Sequence, residues 1–397
     1  MRGQRIDLIW QSNPALYAPA RYRRACRYEA YVPFPIADLP LTLDARTAGV
    51  VSDAENAIRE LNTASQPALA PLARLLLRTE SIASSKVEGI QLGARDLARA
   101  EARAEVGGRA GPTALELLAN IDAMQLAVDA AAAAERFTLD DITTIHRRLM
   151  AGASDASAGC RIREEQNWIG GNDYNPCGAD FVPPPPEYLG DLLSDLCEAM
   201  NDESLPPLIQ AALVHAQFET IHPFADGNGR TGRALVQVIL RRRGIAPSYV
   251  PPISVVLAAR RERYIEGLTL YREDKLDEWI EQFAASAARA AELAKGYLAA
   301  VERLAGKWRA KLEAGAAPRA DAAAWAIIDV LPAHPVISAP VAAAATGRAK
   351  AAIHQGIEEL VAAGVLEPIS AAKRNRAWEA VGLLELVERM EEGRAVG

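Results

Sequence analysis

No uninterrupted run of eighteen apolar residues occurs in this 397-residue chain, although half of it is hydrophobic. A membrane-spanning helix needs about 20 such residues, so none is expected. Met1 to Trp10 carries two arginines and an aspartate and lacks the apolar centre of a secretory leader. Cysteine is scarce. Cys26, Cys160, Cys177 and Cys197 form no C-x-x-C pair and have no histidine partners at zinc spacing. They read as reduced, mostly buried thiols of a cytosolic protein. Basic charge is not in excess either: the net charge of −7 argues against wholesale binding to nucleic acid or membrane. These absences leave a cytoplasmic, soluble protein long enough for two or three domains with a substantial core.

Alanine, leucine, arginine and glutamate dominate, and long stretches alternate at helical period, so the fold class is mainly α. The first 65 residues are the hardest to read, because Pro33, Pro35 and Pro40 break up short apolar pieces. A helix is predicted from about Pro67 to Glu88, where Leu69, Leu72, Leu76, Ala83 and Val87 share a face and Gly89 supplies the stop. The glycine-rich joint Gly107 to Pro112 separates it from helices over Thr113 to Ala134, Leu139 to Met150 and Pro186 to Met200. A further helix over Leu205 to Ile221 puts Leu208, Ala212 and His215 on one face. Another runs from Ala234 to Leu240.

Between those last two helices lies the most informative segment, His222-Pro-Phe-Ala-Asp-Gly-Asn-Gly-Arg-Thr-Gly-Arg233. It gathers a general base, a hard-metal ligand and a phosphate cradle. His222 is the one group able to take a proton near neutral pH. Asp226 is an oxygen ligand suited to Mg²⁺, which takes one or two carboxylates and fills the rest with phosphate and water. Gly227 and Gly229, flanking Asn228, let the backbone approach phosphate oxygens without a Cβ in the way. Arg230 and Arg233 offer planar, permanently charged forks for the outer phosphates. The loop also feeds a helix N-terminus, which favours anions. Taken singly, each residue has an ordinary reading: a tight turn, a solvated helix face, a structural histidine. Jointly they describe a phosphate site.

The order H-x-F-x-[DE]-G-N-G-R-x-x-R resembles the signature of the Fic family of protein nucleotidyltransferases, with every fixed position present. A chance match in this length is on the order of one in a million. The resemblance covers roughly residues 66 to 300 at the level of motif order. It implies a Fic-type helical core and transfer of AMP from ATP, with Mg²⁺, to a Tyr, Thr or Ser hydroxyl of a target protein. Self-modification and a homodimer are compatible with it.

The family resemblance gives meaning to two weaker patterns. Ser84-Ser-Lys-Val-Glu88-Gly89 fits [ST]-x-x-x-E-[GN], the inhibitory motif of many Fic proteins, although alone it is only an amphipathic helix end. Because it precedes the core, the resemblance is to the class with an N-terminal inhibitory helix. There Glu88 would pair with Arg233, deny the γ-phosphate its cation and turn the α-phosphate away from in-line attack. The second pattern is a β-hairpin over Gln166 to Gly171 and Ala179 to Pro184. It corresponds to the family's flap, on which an extended target segment adds as a strand. Ile169, Gly170 and Gly171 are carried over to that docking role, with Trp168 and Phe181 in the core. Tyr264, after Pro251-Pro252, aligns with an aromatic near the adenosine pocket, and a core tyrosine remains an equal reading. His215, two turns before His222, is either a second partner of the site or a satisfied core histidine. His146, His334 and His354 show no chemistry-bearing neighbours.

From about Pro318 the pattern changes. Trp325 to Leu331, Ser338 to Ala345 and Arg348 to Ala363 read as three helices, with a Thr346-Gly347 turn between the last two. Gly364 to Pro368 and Arg376 to Ala380 would pair as strands around the basic tip Lys373 to Arg376. This is a winged helix-turn-helix pattern. Its eight Lys/Arg against ten Asp/Glu make it slightly acidic, so DNA is available as a partner, and protein contact or dimerisation equally so. The expected organisation is an N-terminal region over 1–110, a catalytic core over 111–300 and a winged-helix-like module over 318–397.

Three functions follow from the sequence. The first is an autoinhibited protein adenylyltransferase. A second keeps the fold for de-AMPylation or another nucleotide or phosphate transfer, although relatives that transfer phosphate carry lysine at the Gly229 position. A third is a nucleotide-sensing transcriptional regulator acting through the winged helix.

Overall fold

A computed structural model describes residues 3–63, 70–105, 109–152, 161–369 and 376–394 of the chain. Cys160, the expected helix start at Pro67, Gly107-Gly108 and the basic tip Lys373 to Asn375 lie outside those residues.

The N-terminal stretch forms a two-stranded antiparallel ribbon. β1 (Gln4–Trp10) pairs with β2 (Cys26–Val32) in a register running from Gln4↔Val32 to Trp10↔Cys26. Ile6, Leu8 and Trp10 alternate with exposed Arg5, Asp7 and Ile9, the period of a strand with one covered face. The sequence concealed this pair because the connection is long and the faces are only partly apolar. α1 (Ala45–Thr63) follows, burying Val51, Ala54, Ile58 and Leu61 at helical spacing.

α2 (Ala70–Val87) is the helix anticipated up to Glu88, and it stops where glycine permits. Gly89 has φ +85, and the Ile90 N–H reaches back to the Ser85 carbonyl oxygen. Ahead of the glycine-rich joint, in a stretch the sequence reading left unassigned, lies another helix, α3 (Ala94–Glu105), and after it come α4 (Pro112–Ala133) and α5 (Leu139–Met150). After a one-turn 3₁₀ segment at Pro186–Tyr188 comes α6 (Leu189–Asn201), then α7 (Pro207–Ile221) and α8 (Asn228–Arg242). Every residue of α7 after Pro207 is buried. A helix buried on every face belongs inside a bundle, and its polar Gln210, His215, Gln217, Glu219 and Thr220 are buried with it. The first turn of α8 therefore begins earlier than the apolar pattern suggested, at Asn228, because the motif's own glycines and arginines form it.

α9 (Ile253–Ala259) packs on α2 and on α11 (Leu276–Gly315), α10 (Arg261–Arg272) packs on α7 and α11, and α11 runs about 60 Å at 1.5 Å per residue. The boundary anticipated at residue 300 falls inside α11. Its later turns carry α12 (Ala323–Val330), β3 (Val336–Ser338), α13 (Ala339–Thr346), α14 (Lys350–Ala362), β4 (Leu366–Pro368), β5 (Ala377–Ala380) and α15 (Leu383–Glu391). The three strands are antiparallel in the order β3-β5-β4. Gly347, at φ +67, makes the turn between α13 and α14. Trp308 of α11 donates its indole N–H to the Val381 carbonyl oxygen at 3.0 Å. Arg95 of α3 is gripped by Glu379, Glu385 and Glu388. The C-terminal elements are thus packed onto the helical body, including α2. No helix among the described residues is long and apolar enough to cross a membrane.

Two expectations are corrected. The segment over 166–184 is a hairpin with a single antiparallel bridge, Ile169↔Phe181, instead of two regular strands. Gly170 and Gly171 both take φ +75, which ends the strand, and the Asn172 side chain ties the turn by accepting from the Tyr174 and Asn175 N–H groups. Cys26 and Cys177 are joined in a disulfide across 151 residues, so they are not a pair of reduced thiols. Local spacing could not disclose it, because only the docking of the ribbon on the hairpin brings them together. Trp10 against Trp168 and Tyr22 stacked on Tyr174 reinforce that docking. Cys197 is a free, half-buried thiol.

Closing so long a loop constrains the unfolded chain. Cys26→Ser is expected to lower the unfolding free energy by about 2–4 kcal/mol. Urea denaturation with and without dithiothreitol checks this: reduction should cost the wild type a similar amount and leave the variant unchanged.

Candidate active site

α7 ends and α8 begins at one corner, and the motif loop is the link between them. His222 closes α7 in the left-handed region, at φ 49 and ψ 59, with its N–H bonded to the Phe218 carbonyl oxygen. A side chain other than glycine seldom adopts this conformation, and it persists only when its surroundings over-determine it. Phe224, fully buried, anchors the loop. Asn228 accepts from the Phe224 N–H and donates to its carbonyl oxygen, both at 2.8 Å, folding the loop back on itself. Gly227, at φ +76, then turns the chain into α8. The first N–H groups of α8 have no intrahelical acceptors, as at any helix start, and suit an anion.

The structure brings both arginines here, each with an acidic partner. Arg233 is 2% exposed. Its Nε donates to Ser84 Oγ at 2.9 Å, and its Nη2 to the Ser84 carbonyl oxygen and to Glu88 Oε1, each at 2.8 Å. Arg230 pairs with Glu116 of α4 at 2.7 Å, a partner the motif did not announce. Asp226, with its side chain 70% exposed, lies 3.6 Å from Arg230 and accepts from the Gly227 N–H.

The C-terminal end of α2 is held so that Ser84 and Glu88 reach α8. Asn120 of α4 donates to the Ser81 carbonyl oxygen and to Ser85 Oγ. Arg261 caps the Val87 carbonyl oxygen at 2.9 Å. Glu80, deeper on α2, accepts from the N–H and hydroxyl of Ser254, and burial pushes its carboxyl up to about 7. For Glu88, burial works against the charge. Arg233 outweighs it and holds the carboxyl below its usual value, as expected for a side chain still 39% exposed. Gly229 is required in this arrangement: a Cβ there would fall 1.9 Å from Glu88 Oε1.

Desolvation, with help from Arg163 and Arg272 and against Glu88 and the Glu219 carbonyl, lowers His222 to about 4, so its ring is neutral at physiological pH. His222 Nδ1 lies 3.4 Å from the Glu219 carbonyl oxygen, a long contact that suits the Nδ1–H tautomer and leaves Nε2 to accept a proton. The Glu219 side chain is buried, raised to about 7 by desolvation, with no hydrogen-bond partner for Oε1 among the described residues.

Tyr264 is buried, its hydroxyl 2.9 Å from His215 Nε2, and the two rings are stacked. His215 is thus packed with Tyr264 behind the arginine. Ile169 is partly exposed on the hairpin, and Gly170 and Gly171 follow it. His146 corrects the reading that it has no relevant neighbours. Its ring lies flat on Phe224, centroids 3.6 Å apart, and Nε2 is 2.9 Å from the Asp226 carbonyl oxygen. Arg163 and Asn167, whose side chains both bond the His222 carbonyl oxygen, also escaped the sequence reading. An arginine bound only to backbone carbonyls leaves no local sequence pattern.

Known proteins resemble this chain in sequence and in fold. Residues 136–240 match the sequence model of the Fic/DOC family, and residues 49–129 that of the Fic/DOC family N-terminal region. Protein adenylyltransferase fic-1 of Caenorhabditis elegans is 36% identical over 133 residues, 33% of this chain and 23% of that protein. Protein adenylyltransferase Fic of Nematostella vectensis is 38% identical over 133 residues, covering 33% and 28% of the two chains. The chain thus spans about a quarter of the length of the curated relatives it matches. Among solved structures, a Fic family protein from Desulfovibrio desulfuricans G20 superposes with a TM-score of 0.51 at 20% identity, over 86% of this chain and 98% of that one. Fic-1 from C. elegans gives 0.52 at 24%, over 64% and 72%. At such identities these likenesses speak for the fold. What the chain shares in sequence with the Fic/DOC family is the loop and these two matched segments.

Proposed function

We propose that this chain is a nucleotidyltransferase that moves AMP from ATP to a hydroxyl side chain of a target protein, and that Glu88 restrains it. The observation that carries the reading is the shared corner of α7 and α8, where a neutral imidazole borders a helix N-terminus with two arginines. The hydroxyl oxygen would bond to the α-phosphorus while its proton passes to His222 Nε2. The bond from the α-phosphorus to the bridging oxygen would break, and pyrophosphate would leave. Gly227 and Gly229 supply backbone approach, and Arg230 and Arg233 supply charge for the outer phosphates. Asp226, an exposed carboxylate beside that cradle, fits Mg²⁺, whose other ligands would be phosphate and water. Such an ion would offset charge on the leaving group.

The Arg233 contacts support restraint by α2. With Glu88 Oε1 on its Nη2, the guanidinium is not free for a γ-phosphate, and the carboxylate repels the triphosphate. The hairpin at Ile169 is the assigned docking edge for the target. Tyr264 is assigned a place behind the nucleoside. We assign the elements from α12 to α15 the winged helix-turn-helix reading, supported by the α13–Gly347–α14 turn and the β3-β5-β4 sheet.

His222→Ala should lower AMP transfer by roughly 10²–10⁴-fold while ATP binding is retained. Labelling of protein by α-³²P-ATP measures it, and a variant working at the wild-type rate would remove His222 from the mechanism. Glu88→Gly should raise the initial transfer rate by about ten-fold, the low end for a charge-assisted bond because solvent screens the half-exposed carboxylate. Adding Arg233→Ala should cancel the gain. Equal rates for wild type and folded Glu88→Gly would end the restraint reading while leaving the chemistry intact.

A further inference from the structure

We propose that Arg163 is a positioning residue that locks the hairpin over 166–184 to the His222 corner, so that a hydroxyl docked on the hairpin meets the imidazole in one geometry. The inference rests on the transfer function proposed above. Arg163 is 8% exposed, and no carboxylate pairs with it among the described residues. Its guanidinium is spread over carbonyl oxygens from both sides of the site. Nε donates to His222 at 2.9 Å and Nη2 to Ile221 at 3.4 Å, the carbonyls exposed where α7 ends. Nη1 donates to Glu165 at 3.0 Å, and Nη2 also to Pro184, one on each stem of the hairpin. The Arg163 N–H completes the link on the Pro223 carbonyl oxygen at 2.9 Å.

Burial lowers Arg163 to about 10, with Glu187 offsetting only part of that cost and making no ion pair with it among the described residues. Among the described residues, Arg163 is the side chain whose fork bonds both stems and the helix end together. What it spans is the least relaxed peptide of the site: His222 sits at φ 49, and its carbonyl oxygen also accepts from Asn167 at 3.2 Å. The charge has its own effect. The ionisable groups facing the imidazole are Glu88 from α2, Arg272 from α10 and Arg163, with the Glu219 carbonyl from α7. Arg163 is one of the two cations that disfavour the imidazolium.

Two variants separate geometry from charge. Arg163→Gln should lower kcat about 10²-fold with the KM for ATP unchanged, as expected for a misplacement near 1 Å. Its His222 ring should titrate at higher pH. Arg163→Lys keeps the cation but cannot span the stems, so His222 should titrate as in wild type while kcat still falls. The titration is followed by NMR of the imidazole Hε1 signals, assigned with His222→Ala, and needs no turnover. A wild type that labels no protein would therefore refute transfer while the titration still reports the link. Wild-type kcat in either folded variant would overturn the proposal, as would a His222 midpoint that is the same in Arg163→Gln and Arg163→Lys. If Arg163→Gln fails to fold, the kcat of Arg163→Lys decides.

Discussion

A guanidinium that is 2% exposed cannot shed its charge, and the elements around Arg233 are arranged to answer it. Ser84 supplies two acceptors and Glu88 a carboxylate, and both come from the last turns of α2. For α2 to deliver them it must be fixed along its length. Glu80 holds it to Ser254, Asn120 to α4, and Arg261 caps its end. The C-terminal elements add a further contact through α15 and the turn after α12. The same cation that completes the helix contact is the one a triphosphate would need. Under the proposed function, restraint and catalysis would compete for this one charge.

The loop before Arg233 meets a different demand, that of reversing the chain between two buried helices. A left-handed histidine, a buried phenylalanine and an asparagine that satisfies both backbone groups of Phe224 accomplish this. Each leaves polar groups to be answered from outside the loop. His146 meets the Asp226 carbonyl, and Arg163 and Asn167 meet that of His222. Desolvation of the half-buried imidazole lowers it to about 4 and leaves it neutral, the form that can accept a proton.

Helical pattern made α2, α4, α5 and α7 legible within a few residues, since apolar spacing and the stop at Gly89 are local properties. The twelve-residue loop was legible because its chemistry is contiguous. What stayed hidden depends on distant segments meeting. β1 and β2 are joined by a long connection, Cys26 meets Cys177 only through docking of the ribbon on the hairpin, and Glu116 reaches Arg230 from another helix. The hairpin was placed correctly but idealised, because two left-handed glycines and a side-chain-bonded turn replace strand pairing there. The Ser84 to Glu88 pattern is common in sequence and gains weight from standing upstream of the loop motif, while its contact with Arg233 depends on α2 and α8 meeting.

Nucleotide affinity offers the most direct test of the competition for Arg233. Equilibrium binding of ATP and of AMP should be compared between the wild-type chain and Glu88→Gly by calorimetry in Mg²⁺. Removing the carboxylate should tighten ATP and leave AMP nearly unchanged, because only the triphosphate carries the group that takes the freed guanidinium. Identical ATP affinities in the two folded proteins, or an equal gain for AMP, would contradict the account.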